Sequence, residues 1–225
     1  NSKMRQEFTA NVSHELKTPL TSISGYAELI ESGIAQGEDT VRFAGEIHKS
    51  SQRLLTLIND ILRLSQLDSV EECVDTEPVD LYEMALNCQD MLEMQANKHQ
   101  VVVRVKGTSE VIQANRRMID ELIYNLCDNA IRYNRVGGSV NVTIGEEDYH
   151  PFVSVKDTGI GVSKEDQARI FERFYRVDKS RYKQTGGNGL GLAIVKNIAV
   201  THTAELQIAC ELGKGKEFHI EFPAL

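Results

Sequence analysis

Two long segments in which apolar residues recur every three or four positions constrain the fold most strongly. The first covers residues 4–31 and the second covers residues 40–67. In the first segment the apolar positions are Met4, Phe8, Val12, Leu16, Leu20, Ile23, Ala27 and Ile30. In the second, the heptad-like stripe is Ala44, Ile47, Ser51, Leu54, Ile58, Ile61 and Ser65. This period is that of an amphipathic helix. Because a polar turn at residues 33–39 separates the segments, the sequence predicts an antiparallel helical hairpin.

The second predicted helix carries apolar residues on more than one side. Leu55, Leu57, Leu62 and Leu64 lie off its main stripe. A lone hairpin would leave this surface in water, whereas two hairpins packed as a four-helix bundle would bury it. We therefore predict a homodimer. A pair of core helices in a monomer is the alternative.

A compact polar segment, SHELKTPL at residues 13–20, lies on the first predicted helix. His14, Glu15 and Thr18 place an imidazole, a carboxylate and a hydroxyl within little more than one helical turn. Pro19 lacks a backbone N–H, so we expect it to interrupt the helix by removing one backbone hydrogen bond and to kink it just after His14. A lone helical histidine is ordinarily a core or surface residue. A phosphoryl acceptor at His14 is therefore a hypothesis that the rest of the chain has to support.

Charge and hydropathy exclude some classes of function. The 225 residues carry a formal net charge of -8, which argues against a nucleic-acid partner because phosphate binding needs clustered Lys and Arg. No apolar run approaches the roughly 18 residues of a membrane span. Since the chain starts inside a helical pattern, we expect it to be a fragment of a longer protein, in which a membrane anchor could lie upstream. Any contact with the membrane would then be made by segments absent from this chain.

The pattern changes after an acidic, irregular stretch at residues 68–78, which is typical of a linker. Helices are predicted over residues 81–97, 116–133 and 190–200. Strands are predicted over residues 101–106, 111–113, 139–146, 152–156, 205–211 and 217–222. This interleaving indicates an α+β fold in which helices cover one face of a mixed sheet. The predicted organisation is a helical domain at 1–68, a linker at 69–78 and a second domain at 79–225.

Two carboxamides mark the second helix of that domain. Asn125 and Asn129 are four residues apart and therefore share one helix face. Together they can offer an oxygen to Mg²⁺ and a donor to phosphate. Two solvated polar residues would have the same spacing, so the spacing alone leaves both interpretations open.

A second motif, Asp157 followed by Gly159 and Gly161, comes directly after an apolar strand. A calcium loop is excluded because the glycines stand where oxygen ligands are required. A plain glycine turn remains possible. The functional interpretation is that Asp157 accepts a hydrogen bond from an exocyclic amine such as that of adenine, while the glycines let the backbone approach the ring.

A third motif is the glycine-rich run at residues 186–191. It does not follow an apolar strand, as a dinucleotide loop would, and it lacks the GK[ST] ending of a Walker loop. A flexible loop opening onto a helix N-terminus, where phosphate binds favourably, remains. Between the second and third motifs the sequence is locally basic, which predicts either a cationic lid over a triphosphate or a solvated face. The basic residues are Arg169, Arg173, Arg176, Lys179, Arg181 and Lys183.

In this order, the motifs resemble the cytoplasmic core of a sensor histidine kinase of two-component signalling. The resemblance implies that the chain is the cytoplasmic portion of a membrane-bound bacterial sensor. The resemblance covers nearly the whole chain, in five segments that are similar to the family's H, N, G1, F and G2 boxes. These segments are residues 8–20, 120–133, 157–161, 170–178 and 187–192. It implies a dimeric helical hairpin of the HisKA type, followed by the α/β-sandwich ATP-binding fold shared with gyrase and mismatch-repair ATPases.

The resemblance also implies the chemistry. His14 would take the γ-phosphoryl group of ATP on Nε2, with Glu15 orienting the ring and accepting its Nδ1 proton. Thr18 would place water when a response regulator is dephosphorylated, and Arg176 would contact the γ-phosphate. The phosphoryl group on His14 would pass to an aspartate of the regulator's receiver domain. A degenerate kinase that only binds nucleotide and an ATP hydrolase or chaperone are the alternatives.

At the nucleotide, the resemblance implies that Asn129 holds Mg²⁺, Asn125 lies near the phosphates, and Tyr133 stacks on the adenine that Asp157 reads. The other residues implied to bind ATP are Arg132, Gly159, Gly161, Gly187, Gly189 and Gly191. Two positions depart from the family pattern. Arg132 stands where Lys is usual, and residues 201–204 lack the glycine pair that commonly ends the last helix, so that helix needs another cap.

Overall fold

The computed structural model describes residues 2–69, 74–177 and 187–224, with the side chains described from residue 6 onward. The chain divides into two compact units, Asn1–Ser65 and Gln66–Leu225. Within the described residues, no helix is long and apolar enough to cross a membrane.

The first unit is the predicted helical hairpin. Helix α1 spans Ser2–Glu31 and helix α2 spans Glu38–Asp68, whose last three residues belong to the second unit. Near the turn, the rings of Tyr26 and Phe43 pack with their centroids 5.0 Å apart. Helix α1 runs through Pro19 without a break, so the proline does not end the helix, and the kink expected there stays a prediction. A proline removes a single backbone hydrogen bond, and the flanking turns keep theirs.

The second unit is built on two sheets. Strands β1 (Glu77–Asp80) and β3 (Val111–Ala114) form an antiparallel pair. The larger sheet has the order β2-β4-β5-β7-β6. This sheet is mixed, as predicted. Strands β2 and β4 are parallel, whereas the pairs β4–β5, β5–β7 and β6–β7 are antiparallel. Its strands are β2 (Val102–Gly107), β4 (Ser139–Glu147), β5 (His150–Asp157), β6 (Glu205–Glu211) and β7 (Gly215–Glu221).

Three long helices build the core against this sheet. They are α3 (Leu81–His99), α4 (Arg116–Arg132) and α6 (Gly191–Thr201), and a short helix, α5 (Lys164–Gln167), precedes the last of them. Alternate residues of the strands point into the core, so that Val140, Val142 and Ile144 of β4 are buried. On β7 the same alternation buries positions 216, 218 and 220. The predicted α/β sandwich is therefore confirmed.

Two short elements escaped the sequence prediction. β1 overlaps the stretch predicted as a linker, and α5 is a single turn begun by Ser163, whose hydroxyl accepts the Asp166 N–H. Neither element is long enough to show a hydrophobic period. β1 forms because Val79 is fully buried and because its four residues pair with β3.

The end of α6 is capped without glycine. Thr203 takes the left-handed conformation, with φ +56°, that glycine usually supplies at this point. His202 becomes a packing residue: its Nε2 accepts the Asn115 N–H at 3.1 Å, and its Nδ1 lies 2.8 Å from the carbonyl oxygen of Ile198. The imidazole therefore joins the end of α6 to the start of α4.

The turn before β7 generates a first prediction. At Gly215 φ is +97°, and an added Cβ would lie 1.9 Å from the carbonyl oxygen of Asp157. At Gly213 φ is +82°, but no heavy atom lies within 4 Å of an added Cβ. Gly213→Ala should therefore cost only the left-handed backbone penalty of about 1 kcal/mol. Gly215→Ala should cost at least about 2 kcal/mol more in denaturant unfolding. Equal losses would contradict this packing of β7 against β5.

Candidate functional site

A buried pair of opposite charges lies at the end of the central strands. Asp157 is the last residue of β5, and its Oδ1 accepts the N–H of Gly159 at 2.8 Å. Its Oδ2 lies 3.0 Å from Nζ of Lys216, and the two side chains are only 1% and 4% exposed. The sequence analysis missed Lys216. The strand alternation could have found it, because it puts this lysine on the same inward face as Phe218.

The glycines after Asp157 have a structural reason. A Cβ at position 159 would lie 2.4 Å from the carbonyl oxygen of Tyr133. A Cβ at position 161, where φ is +68°, would lie 2.4 Å from the carbonyl oxygen of Glu211. The segment is therefore packed closely between the end of α4 and the end of β6. Both the glycine-turn interpretation and the binding interpretation of this motif are compatible with that packing.

The two carboxamides of α4 differ in their surroundings, and only that of Asn125 is seen to lie against the glycine-rich segment. Asn125 donates to the carbonyl oxygen of Glu121 at 2.9 Å, and its Oδ1 is 3.1 Å from the position that a Cβ on Gly191 would take. The Oδ1 atom of Asn129 is buried and makes no hydrogen bond to the part of the chain that the structure describes. An unsatisfied buried oxygen is costly, so this atom is suited to receive a cation or a donor from a ligand.

Tyr133 connects the charge pair to the glycine-rich segment. Its ring centroid is 5.8 Å from Nζ of Lys216, and its hydroxyl oxygen is 3.0 Å from the position of a Cβ on Gly187. Tyr133 thus lies near Lys216, which is the partner of Asp157, and also near Gly187. The structure brings the predicted adenine-reading and stacking residues together.

Hydrogen bonds hold the glycine-rich segment in place. Gly189 has φ +75°, and its carbonyl oxygen accepts the N–H of Phe174 at 2.9 Å. Asn188 Oδ1 accepts the N–H of Leu190 at 3.0 Å, directly before α6 begins at Gly191. Among the described residues, no side chain caps the N-terminus of α6, so its first N–H groups have no side-chain acceptor there. Gly186, the first glycine of the predicted run, lies outside the described residues.

Arg132 has a structural partner on its own helix. Its Nε donates to both oxygens of Asp128, at 2.9 and 2.8 Å, one helical turn away. Asp128 also accepts from Gln95 of α3. The predicted role of Arg132 in nucleotide binding therefore has to be compatible with this ion pair, which the four-residue spacing on a predicted helix could have revealed.

The predicted cationic lid is partly neutralised. Arg169 pairs with Glu172 at 3.2 Å, and Arg173 pairs with Asp68 of the same unit at 2.6 Å. Arg176, which was predicted to contact the γ-phosphate, is half-buried. The other predicted lid residues, Lys179, Arg181 and Lys183, lie outside the described residues, as does the last residue of the F-box segment, Asp178.

A tyrosine fixes the segment between the two glycine motifs. Tyr175 donates to Asp166, and the guanidinium of Arg169 lies 4.3 Å from the centroid of its ring. Two hydrogen bonds lower the pKa of Asp166: the one from Ser163 has the larger effect, and the one from Tyr175 the next largest. The same hydrogen bond to Asp166 raises the pKa of Tyr175. Near neutral pH the segment therefore keeps a carboxylate acceptor and a phenol donor in place.

The proposed acceptor histidine belongs to the first unit. His14 is exposed on α1, and the hydroxyl of Thr18 donates to its carbonyl oxygen at 3.3 Å. Glu15 is half-buried next to it. An exposed imidazole on a rigid helix is accessible to a nucleotide or to a partner protein.

Two family models match the chain. Residues 4–70 match the His Kinase A (phospho-acceptor) domain, and residues 114–225 match the histidine kinase-, DNA gyrase B- and HSP90-like ATPase. This chain belongs to the sensor histidine kinases of two-component systems. The resemblance found in the sequence is confirmed, and so is the implied fold of a helical hairpin followed by an α/β-sandwich domain.

Relatives and solved structures agree with this assignment. The sensor histidine kinase WalK of Bacillus subtilis is 34% identical over 223 residues, which are 97% of this chain and 36% of WalK. The chain therefore spans about a third of the length of that relative. The structure of the histidine kinase AdeS of Acinetobacter baumannii superposes with a TM-score of 0.76 at 25% identity, over 93% of this chain and 96% of AdeS.

A further structure shares the fold. The histidine kinase ThkA, solved in complex with its response regulator TrrA, superposes with a TM-score of 0.79 at 22% identity. The match covers 100% of this chain and 65% of ThkA.

The buried charge pair generates a second prediction. Asp157→Asn and Lys216→Met would each leave one charged group buried without its counter-charge. We expect each to lower the free energy of unfolding by roughly 3–5 kcal/mol, and the double variant to lose far less than the sum. A double-mutant cycle by chemical denaturation measures this coupling. Losses that add to within about 0.5 kcal/mol would show that the two groups do not stabilise each other.

Proposed function

We propose that this histidine kinase transfers the γ-phosphoryl group of ATP to His14 and then to an aspartate of a response regulator. The observation that carries the proposal is that one chain holds an exposed histidine on a phospho-acceptor hairpin and a buried aspartate in an ATPase-type domain. Neither feature alone specifies a kinase. Together they supply an acceptor and a nucleotide site.

In this proposal the second unit binds the nucleotide. Asp157 accepts a hydrogen bond from the adenine amine, and Tyr133 stacks on the ring. Asn125 and the backbone of Gly187, Gly189 and Gly191 contact the phosphates at the uncapped N-terminus of α6, where N–H groups and the helix dipole favour negative charge. Arg132 contributes positive charge nearby, and Gly159 and Gly161 keep the loop beside the base compact.

A magnesium ion suits the donor set of this site. Asn129 presents a buried amide oxygen that has no hydrogen bond within the described residues, and Mg²⁺ prefers oxygen ligands of this kind. We propose that Asn129 would hold the ion. When bound, Mg²⁺ would neutralise negative charge on the phosphates.

The transfer step then requires few groups. Nε2 of His14 attacks the γ-phosphorus, the bond between this phosphorus and the oxygen bridging to the β-phosphate breaks, and ADP leaves. Glu15 accepts the proton from Nδ1, which keeps the attacking nitrogen nucleophilic. Arg176 offsets negative charge on the γ-phosphate, since phosphoryl transfer depends mainly on positioning and charge neutralisation. Thr18 acts in the dephosphorylation of the regulator, where it places the attacking water.

We propose the receiver domain of a response regulator as the phosphoryl acceptor from His14. ThkA, which has the same fold, has been solved in complex with such a regulator, and the exposure of His14 permits the same approach. The proposed organisation is a phosphotransfer and dimerisation domain at 1–68, a linker at 69–78 and an ATP-binding domain at 79–225.

The third prediction tests the acceptor. Incubation with Mg²⁺ and γ-labelled ATP should label the protein with a phosphate that is labile to acid and stable to alkali, as expected for phosphohistidine. His14→Gln should abolish the label. His48→Gln changes another exposed histidine of the same unit, on α2, and should leave the label intact.

Label that persists in His14→Gln would overturn the assignment of the acceptor. Steady release of phosphate without labelled protein would favour the ATP hydrolase. Binding of ATP with neither label nor release would favour a degenerate kinase that only holds nucleotide.

We also propose that the first unit dimerises as a four-helix bundle. Leu55, Ile58 and Leu62 of α2 remain 53%, 38% and 56% exposed in the single chain, as does Leu20 of α1 at 51%. Exposed apolar residues at three- and four-residue spacing on one helix are typical of an interface between helices. A second copy of the hairpin would cover them.

The fourth prediction tests this interface. Sedimentation at micromolar concentration should show a dimer, and Leu55→Glu should shift the population toward monomer because it would place a charge in the bundle core. Leu212→Glu is the matched control, since Leu212 is 68% exposed and lies in the other unit. A wild-type monomer, or a dimer unaffected by Leu55→Glu, would contradict the proposed bundle.

A further inference from the structure

Lys216 is buried in a place where a lysine needs a reason. It lies on β7 next to Glu217, which pairs with Lys156 in the last rung of the β5–β7 ladder, and it points inward like Phe218 and Ile220. Its side chain is 4% exposed. A lysine is almost never fully buried unless it is paired, because an ammonium loses its hydration there.

The contacts of Lys216 do not use its full capacity to donate. The ammonium has three N–H donors. Within the described residues, its contacts are the ion pair with Asp157 Oδ2 at 3.0 Å and the face of Tyr133 at 5.8 Å from the ring centroid. Asp157 Oδ2 itself makes no hydrogen bond among the described residues, so the 3.0 Å contact is an ion pair without good hydrogen-bond geometry. Both groups therefore retain hydrogen-bonding capacity at the same buried point.

A donor and an acceptor side by side match one edge of adenine. On that edge the exocyclic amine, a donor, is adjacent to the ring nitrogen N1, an acceptor. Asp157 supplies the acceptor for the amine. Lys216, 3.0 Å away, is positioned to supply a donor for N1, and Tyr133 lies beside both.

We propose that Lys216 is a base-reading residue, whose ammonium donates a hydrogen bond to N1 of adenine while Asp157 accepts from the amine. This inference rests on the proposed binding of ATP at Asp157. It adds a second, charged contact to the base, so that adenine is recognised by a donor and acceptor pair. The ammonium also gains the hydrogen bond that its burial leaves unmade.

A purely structural role is the competing explanation. In that case the pair only joins the ends of β5 and β7, and the base meets Asp157 alone. Stability measurements do not separate the two explanations, since both predict that the pair stabilises the fold. Discrimination between nucleotide analogues does separate them.

The experiment titrates the full chain with ADP, 1-deaza-ADP and 7-deaza-ADP and measures affinity by calorimetry. These diphosphates carry no γ-phosphoryl group, so the measurement does not depend on the kinase reaction. Replacing N1 with carbon removes the acceptor for Lys216, and we expect a roughly ten- to hundredfold loss of affinity, as for a hydrogen bond to a charged group. Replacing N7 is the matched change elsewhere on the ring, and we expect at most about a threefold effect, within the modest range of a peripheral contact.

Two lysine variants complete the test. Lys216→Met should remove the difference between ADP and 1-deaza-ADP. Lys214→Met, which changes an exposed lysine of the same turn whose Nζ pairs with Glu211 at 2.7 Å, should preserve that difference. If Lys216→Met does not fold, the analogue ratio in the wild-type chain still decides the question.

Equal wild-type affinities for ADP and 1-deaza-ADP would overturn the inference, as would an unchanged ratio in a folded Lys216→Met. Either result would leave the proposed kinase function standing as long as ADP binds and Asp157→Asn weakens its binding. Failure of the wild-type chain to bind ADP would instead count against the proposed function and the inference together.

Discussion

The ion pair between Asp157 and Lys216 is the interaction on which the second unit most depends. Two opposite charges, each nearly removed from water, lie 3.0 Å apart where the ends of β5 and β7 meet. Charges buried in this way are costly unless they remain paired, so the local backbone has little freedom. Gly159 donates its N–H to Asp157, and at Gly215 only glycine leaves room for the aspartate's carbonyl oxygen.

The rest of the nucleotide site follows from that fixed point. Helix α4 ends at Arg132, directly before Tyr133, which lies next to Lys216. The side chain of Asn125 on α4 lies beside Gly191, the first residue of α6, whose N-terminus has no side-chain cap among the described residues. In the proposed site, base recognition, metal binding and phosphate binding would thus be distributed over β5, α4 and α6. His14, the proposed acceptor, lies on the separate helical unit.

Much of this architecture was predictable because it depends on long periodic patterns. A clear hydrophobic period marks both helices of the hairpin, the three long helices of the second unit and the five strands of its larger sheet. β1 and α5 were missed because four residues cannot show one. The pairing of Arg132 with Asp128 was missed, although an aspartate four residues before an arginine on a helix is the spacing of an ion pair. Lys216 was missed because one charged residue in an apolar strand pattern looks like an interruption of the strand.

The glycines show why motifs alone were ambiguous. Gly159 and Gly161 are required by the close packing of two carbonyl oxygens, so they would be glycines with or without a bound base. The order of five motifs along the chain therefore identified the family more securely than any motif identified its ligand.

The most direct measurement is a crystal structure of the chain with a non-hydrolysable ATP analogue. It should place the adenine amine at about 3 Å from the carboxylate of Asp157, with the phosphates at Asn125 and Gly191. A base bound away from Asp157 would contradict the account.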